Sequence, residues 1–475
     1  MTATVTVPVA DGRARWRPRR TDLIALGLWG GSRLVMLFIS LAALAAQPGT
    51  SWLNLWQRWD WDRYLTIAQY GYTSGKGPAY DTNIVAFFPG YPGLLRAVDL
   101  VVRNWVVSGL LISLVAGAVA CVALARFTEY EWRARSGTGN PGWVVATSVL
   151  VLVTAPAAVF LAAGYTESLF LALGIPAWLA ARRRQWVLAG VLTALACTVR
   201  IDGAFEAAGL AVMFLLGRPR VRDWARSPAL ALPLVAVGAY FAYLKDITGD
   251  WLGWFHAEAN GWSRRLTSPV TAFRTSWANA FGSGPLAGGR GFGGRGRSAN
   301  VNPSRPGNHQ NLGNPNANPN TPNNPGGNFR RSSGFGQPGR GGSGAGSGPA
   351  SSQGQGLGQG QQAFSGHGLG GVGPFGPWPF RLDILMVLAG VVFLGWAAFR
   401  RRWAELTYVG LAVVALATST YYMSVAREAL LWWPLWIALA GWLSRRRWLT
   451  GLYLAASTAM MAGITWLFLT GHWAG

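Results

Sequence analysis

Long apolar runs recur along this chain, and every second junction between them carries a cluster of arginines. That pattern leaves few folds open. Runs able to cross a bilayer, about 20 residues each as helix, fall near residues 21–46, 106–127, 143–163, 167–181, 186–200, 204–217, 228–248, 378–399, 404–425, 428–444 and 448–470. Lipid offers the backbone no hydrogen-bond partners, so each run must be helical. Arginines crowd residues 13–20, 126–135, 182–184, 218–226, 400–402 and 445–447, whereas the short turns near Tyr165, Ile201 and Glu428 hold only Arg200 and Arg427. Basic loops remain on the cytoplasmic side. The N-terminus is therefore expected inside and the C-terminus outside. The expected fold class is an all-α polytopic membrane protein with about 11 transmembrane helices.

Composition agrees. Only 12% of the 475 residues are charged and 51% are hydrophobic, against roughly 25% charged in soluble domains, which excludes a soluble enzyme. A net charge of +23 suggests nucleic acid at first sight, but the arginines sit where insertion requires them, and no nucleic-acid partner is expected. Cys121 and Cys197 lie within apolar runs as small core residues, with neither a disulfide framework nor a metal motif. No cofactor is expected; a divalent ion shared by Asp60 and Glu167 is the only metal arrangement in view. Arginine almost wholly replaces lysine, which points to a GC-rich bacterial gene and so to the plasma membrane.

The domain plan follows from the same pattern. A basic cytoplasmic tail, 1–20, precedes a membrane module over 21–281, with outer loops at 47–105 and 249–281. Residues 282–375 are Gly-, Asn- and Pro-rich with no acidic residue, and such a segment is expected to be disordered outside the membrane. Helices resume over 376–475. The first run ends in Ala43-Leu44-Ala45, which resembles a signal-peptide cleavage site. Its length and the interruption by Arg33 favour a retained span. Arg33 stands near mid-bilayer and needs a partner.

Chemistry gathers on the outer face. The first outer loop reads WQRWDWDRYLTIAQYGY over residues 56–72, then AFFPGYPGLLR over 86–96. Leu55, Trp59, Tyr64 or Arg63, and Ile67 fall near helical spacing, as in an amphipathic helix on the interface. That leaves Asp60 and Asp62 unexplained. Carboxylates set between Trp59 and Trp61 occupy a partly desolvated position suited to general-base work; solvated loop acids are the bland reading. Glu167 tops the third and fourth spans, Arg200 and Asp202 the fifth and sixth, Arg427 and Glu428 the ninth and tenth, and His256 follows the seventh. Each alone reads as a cap or anchor. Together on one rim they line a substrate path.

These residues carry a resemblance to the PIG-V family of mannosyltransferases, polytopic GT-C-fold enzymes related to the one that adds the second mannose to glycosylphosphatidylinositol. The family's first-loop pattern is matched by Arg58, Trp59, Asp60, Tyr64, Ile67, Ala68, Gly71 and Tyr72, then by residues 86–89 with Tyr91 and Pro92. Its YTES-L-F turn stands at 165–170, and its R-x-x-G at 200–203. Gly249, Asp250, Leu252 and His256 match a further motif, followed by Trp262 and Arg264. Ser424 and Arg427 match a late S-x-x-R, with Glu428 where the family has Tyr.

The resemblance implies a GT-C glycosyltransferase taking a sugar, most simply mannose, from a polyprenyl-phosphate donor on the side away from the cytoplasm. The catalytic carboxylate is then Asp60, with Asp62 at a variable family position. Arg200, Arg427 and His256 would hold the donor phosphate, since guanidinium forks suit phosphate oxygens. Glu167, Tyr165, Trp59 and Tyr64 would bind sugar or acceptor. Donor, membrane lipids and a cell-envelope acceptor are the implied partners. The alternatives are a transferase for another polyprenyl-linked sugar, a lipid or solute transporter, and a non-catalytic scaffold. A transporter would show internal repeats, and none is evident.

Overall fold

A computed structural model describes residues 19–78, 80–136, 140–282, 378–472 and 474. Every element among them is helical; the sole β feature is an isolated bridge, Leu266 with Ser419. The first helices are α1 (Arg20–Ala45), α2 (Asp60–Tyr70), α3 (Gly90–Val102), α4 (Trp105–Ser136), α5 (Gly142–Val153) and α6 (Glu167–Arg182). Next come α7 (Trp186–Val199), α8 (Asp202–Leu216), α9 (Val221–Trp224), α10 (Leu232–Thr248), α11 (Gly253–Trp262) and α12 (Pro269–Ala280). The last group is α13 (Trp378–Phe399), α14 (Trp403–Ala417), α15 (Val425–Glu428), α16 (Trp433–Leu443) and α17 (Arg447–Leu469).

Each of the apolar runs contains a helix. Five helical stretches, Arg20–Ala45, Trp105–Ala134, Ser227–Thr248, Trp378–Phe399 and Arg447–Leu469, are long and apolar enough to cross a membrane. Others, such as Trp186–Val199, are apolar but shorter. The chain is a multi-pass helical membrane protein. The tail before Arg19 and the segment 283–377 lie outside the described residues.

Small residues set the closest helix approaches. The Trp29 indole of α1 lies on Gly117 of α4, where an added Cβ would stand 2.2 Å from the ring. Its Nε1 donates to Leu114 O at 3.1 Å. The same indole answers the question of Arg33: the guanidinium sits over that ring, 3.9 Å from its centroid, and Nε donates to Ser32 Oγ. A cation on an aromatic face replaces the missing counter-ion in part.

The arginine-rich end is less purely basic than the sequence suggests. Asp22 of α1 takes a two-pronged bond from Arg126 of α4, 2.8 Å on each oxygen. Glu129 accepts from Arg133 at 2.6 Å and Thr21 at 3.1 Å. Arg182 at the end of α6 reaches Glu405 of α14 at 2.7 Å, and Arg402 bonds Glu131. Buried acids thus tie α1, α4, α6 and α14 together there.

The first outer loop corrects one expectation. The helix predicted to lie on the bilayer surface is instead packed inside. α2 begins at Asp60, after Trp59 in a left-handed conformation (φ 46°). Trp61 is clamped between Gly109 and Gly164, at whose positions a Cβ would come within 2.6 and 2.5 Å of its ring. Arg63, Tyr64 and Ile67 are buried too. Arg63 forks onto Asp81 at 2.7 and 2.8 Å, holding the loop against itself. This packing fixes where α2 starts, and so where its two aspartates stand.

Candidate active site

The end of the bundle opposite the arginine clusters holds a cavity of about 1660 Å³. Its wall takes Trp59, Asp60, Asp62 and Tyr64 from the first outer loop and Tyr165 from the turn before α6. Arg200 and Asp202 come from the turn between α7 and α8, and His256, Glu258 and Trp262 from α11. Arg427 and Glu428 come from α15. Residues on both sides of segment 283–377 therefore build one site.

Two arginines organise its floor. Arg427 Nη1 donates to Asp60 Oδ2 at 2.5 Å, and its Nε bonds Glu167. The guanidinium lies 4.7 Å from the Tyr165 ring centroid and 4.9 Å from that of Phe160. Its Nη2 makes no hydrogen bond among the described residues. Arg200 is fully occupied: Nε reaches Asp202 at 3.1 Å, Nη1 reaches Thr166 at 2.8 Å and Glu167 at 3.3 Å, and Nη2 reaches Glu428 at 2.5 Å. Glu428, the residue that departs from the family pattern, is the partner of Arg200.

These contacts sort the expected site residues. Asp60, Asp62, Trp59, Tyr64, Tyr165, Arg200, His256 and Arg427 all line the cavity. Glu167 does not. It is fully buried behind the floor and holds both arginines, so direct contact with a sugar is set aside for it. Tyr165 donates its hydroxyl to Arg58 O at 2.5 Å and offers the cavity its ring. His256 is exposed, with Nδ1 and Asp250 Oδ2 2.5 Å apart, which leaves Nε2 for a ligand. Glu258 on α11 was not foreseen, nor were Trp262, Tyr421 and Met423, which also line the wall. The matches at His256, at Trp262 with Arg264, and at Ser424 were the sequence signals near them. Among the described residues no group of three His, Cys, Asp or Glu side chains is arranged to hold a metal ion.

Asp62 differs from its neighbour. It forms no salt bridge among the described residues, and burial pushes its carboxyl up from 3.8 to about 6, opposed by Arg63 and Arg58. A raised acid favours the native state fully below pH 4 and loses that contribution as pH rises through 6. Asp62→Asn cannot titrate. Its thermal midpoint in detergent is expected to gain on that of the native chain between pH 4 and pH 7; a constant difference across that window would refute the assignment.

A polytopic helical bundle with a walled, ion-paired cavity at one end is the class of protein that these features define. Comparison adds a more particular likeness. The chain is 33% identical over 156 residues to GPI alpha-1,6-mannosyltransferase 2 of Mus musculus, covering 31% of this chain and 29% of the mouse protein. It is 33% identical over 98 residues to GPI mannosyltransferase 2 of Yarrowia lipolytica, 20% of this chain and 27% of that one. With the Cryptococcus neoformans GPI mannosyltransferase 2 it shares 28% over 178 residues, 35% and 38% respectively. The chain thus matches about three-tenths of the length of these curated relatives. No protein-family model matches, and no solved structure does. The likeness is to PIG-V-type mannosyltransferases.

Proposed function

We propose that this chain is a GT-C-type membrane mannosyltransferase with eleven spans and a cytoplasmic N-terminus. It moves mannose from a polyprenyl-phosphate donor to a glycolipid, glycan or glycoprotein acceptor outside the cytoplasm. The observation that carries the reading is Arg427, shared between Asp60 and Glu167 on the floor of a cavity large enough for two ligands. Single small-molecule pockets span about 300–1,000 Å³. The site lies opposite the arginine-rich, cytoplasm-facing end, where a lipid-linked donor and not a nucleotide sugar is at hand.

The reaction is one displacement. The acceptor oxygen forms a bond to the anomeric carbon while the bond from that carbon to the phosphate oxygen breaks. Asp60 takes the hydroxyl proton, and the electron pair leaves on polyprenyl phosphate. Arg427, through Nη2, steadies the charge that grows there; Arg200 sets the electrostatic frame, and His256 Nε2 offers a second donor. Asp62 and the rings of Trp59, Tyr64 and Tyr165 orient the sugars. One displacement inverts the anomeric configuration.

Membranes carrying the chain, incubated with radiolabelled polyprenyl-phosphate mannose, should transfer label to an endogenous acceptor with inverted anomeric linkage. Transfer no higher than in membranes lacking the chain would end the proposal, and a retained configuration would end its mechanism.

A further inference from the structure

Between α14 and α15 the chain turns through residues 418–424; its ends bond the flanking helices, Thr418 N to Val414 O and Glu428 N to Ser424 O, and other segments hold the backbone between. Thr418 O accepts from Thr267 N at 2.7 Å, and Tyr422 N donates to Ser276 Oγ at 2.7 Å. Met423 O accepts from Arg264 Nη2 at 3.2 Å. Ser424 adopts a left-handed conformation, φ 59°, a costly geometry that persists only where its surroundings impose it. Immediately after it comes the single turn of α15, whose third and fourth residues are Arg427 and Glu428.

The first N–H groups of any helix lack intrahelical acceptors, and no side chain of residues 418–424 caps these. Asp383, on α13, does so from a distance. Its Oδ1 accepts from Ala426 N at 2.9 Å, and the backbone N–H groups of Val425 and Ser424 act electrostatically on the same carboxyl. Asp383 is 2% exposed and forms no salt bridge among the described residues. Burying a carboxyl without a cation is costly unless hydrogen bonds converge on it. Here the Ala426 amide supplies one and its neighbours Val425 and Ser424 add their N–H dipoles, all in the turn that bears the site arginine.

We propose that Asp383 is a positioning residue that anchors the start of α15 and thereby aims Arg427 at Asp60 and Glu167. Its consequence for catalysis rests on the mannosyltransferase reading; the aiming itself does not. The test therefore uses two readouts on the purified full chain in detergent: phenylglyoxal modification of Arg427, followed by mass spectrometry, and steady-state transfer from polyprenyl-phosphate mannose.

In Asp383→Ala, Arg427 should react about tenfold faster and kcat/KM for the donor should fall about thirtyfold, as expected when a buried N–H cluster loses its acceptor. Asp383→Asn keeps an oxygen acceptor and should stay within about threefold of native in both. Ala426→Pro removes the N–H from the other end of the same bond, at a first-turn position where proline is tolerated, and should reproduce the Arg427 effect. It also covers failure of Asp383→Ala to give a single size-exclusion peak. Unchanged Arg427 reactivity in both folded variants would overturn the proposal. Faster Arg427 modification with no transfer by the native chain would uphold the positioning and sink the mannosyltransferase reading.

Discussion

Asp60→Asn is expected to lower the rate of mannose transfer by about a thousandfold, within the range that a positioned general base contributes, and to leave donor KM within about threefold. The asymmetry follows from the floor of the cavity. Asparagine is nearly isosteric and can still accept from Arg427 Nη1, while Glu167 keeps its bond to Arg427 Nε. The arginine therefore stays in place to meet the donor. What asparagine cannot do is take the acceptor's proton. A loss confined to kcat is the signature of an interaction made in the transition state alone. Asp62→Asn, measured beside it, is expected to lose no more than about tenfold, since it removes an orienting carboxyl and not the base. Transfer by Asp60→Asn equal to native would discard Asp60 as the base. Equal transfer by both variants would discard the whole α2 pair.

Arg427→Ala is expected to produce the other large effect, a fall in kcat/KM of at least about a thousandfold, comparable to loss of a donor aimed at developing negative charge. It also destabilises the fold by about 3–5 kcal/mol, the usual cost of leaving buried charges without their partner. Asp60 then loses its partner, and the fully buried Glu167 is left with Arg200 alone, at 3.3 Å. Arg427→Lys separates the two consequences. An ammonium restores the charge yet cannot span both carboxylates and still offer a free edge to phosphate. Its melting in detergent should recover most of the loss while transfer remains about a hundredfold down. Native-like transfer by Arg427→Ala would refute the role given to this residue.

Much of this was legible before any coordinates. Hydrophobic length and arginine placement located a helix in each apolar run, because the bilayer allows no other spanning backbone. The residues on one rim did converge on one cavity, since each stands at a helix end whose direction alternates with the spans. What stayed hidden were relations between distant segments. Glu167 reads as a rim acid; only packing shows it sealed behind two arginines. Residues 55–67 have the spacing of a surface helix, and nothing local says that Gly109 and Gly164 leave a slot for Trp61. Asp383 reads as an isolated acid in an apolar run, because its partners are backbone amides some forty residues further on. The acids paired with the clustered arginines, Asp22, Glu131 and Glu405, likewise gain their meaning only once the helices pack.

The way Arg427 is held has a consequence for timing. On the proposed mechanism, the carboxylate that draws off a proton is held by the same cation that greets the phosphate. An arriving donor phosphate would meet the open Nη2 edge of that cation and draw its charge away from the aspartate. Such wiring would tie the readiness of the base to the arrival of the leaving group, which would favour spending activated lipid on an acceptor over losing it to hydrolysis.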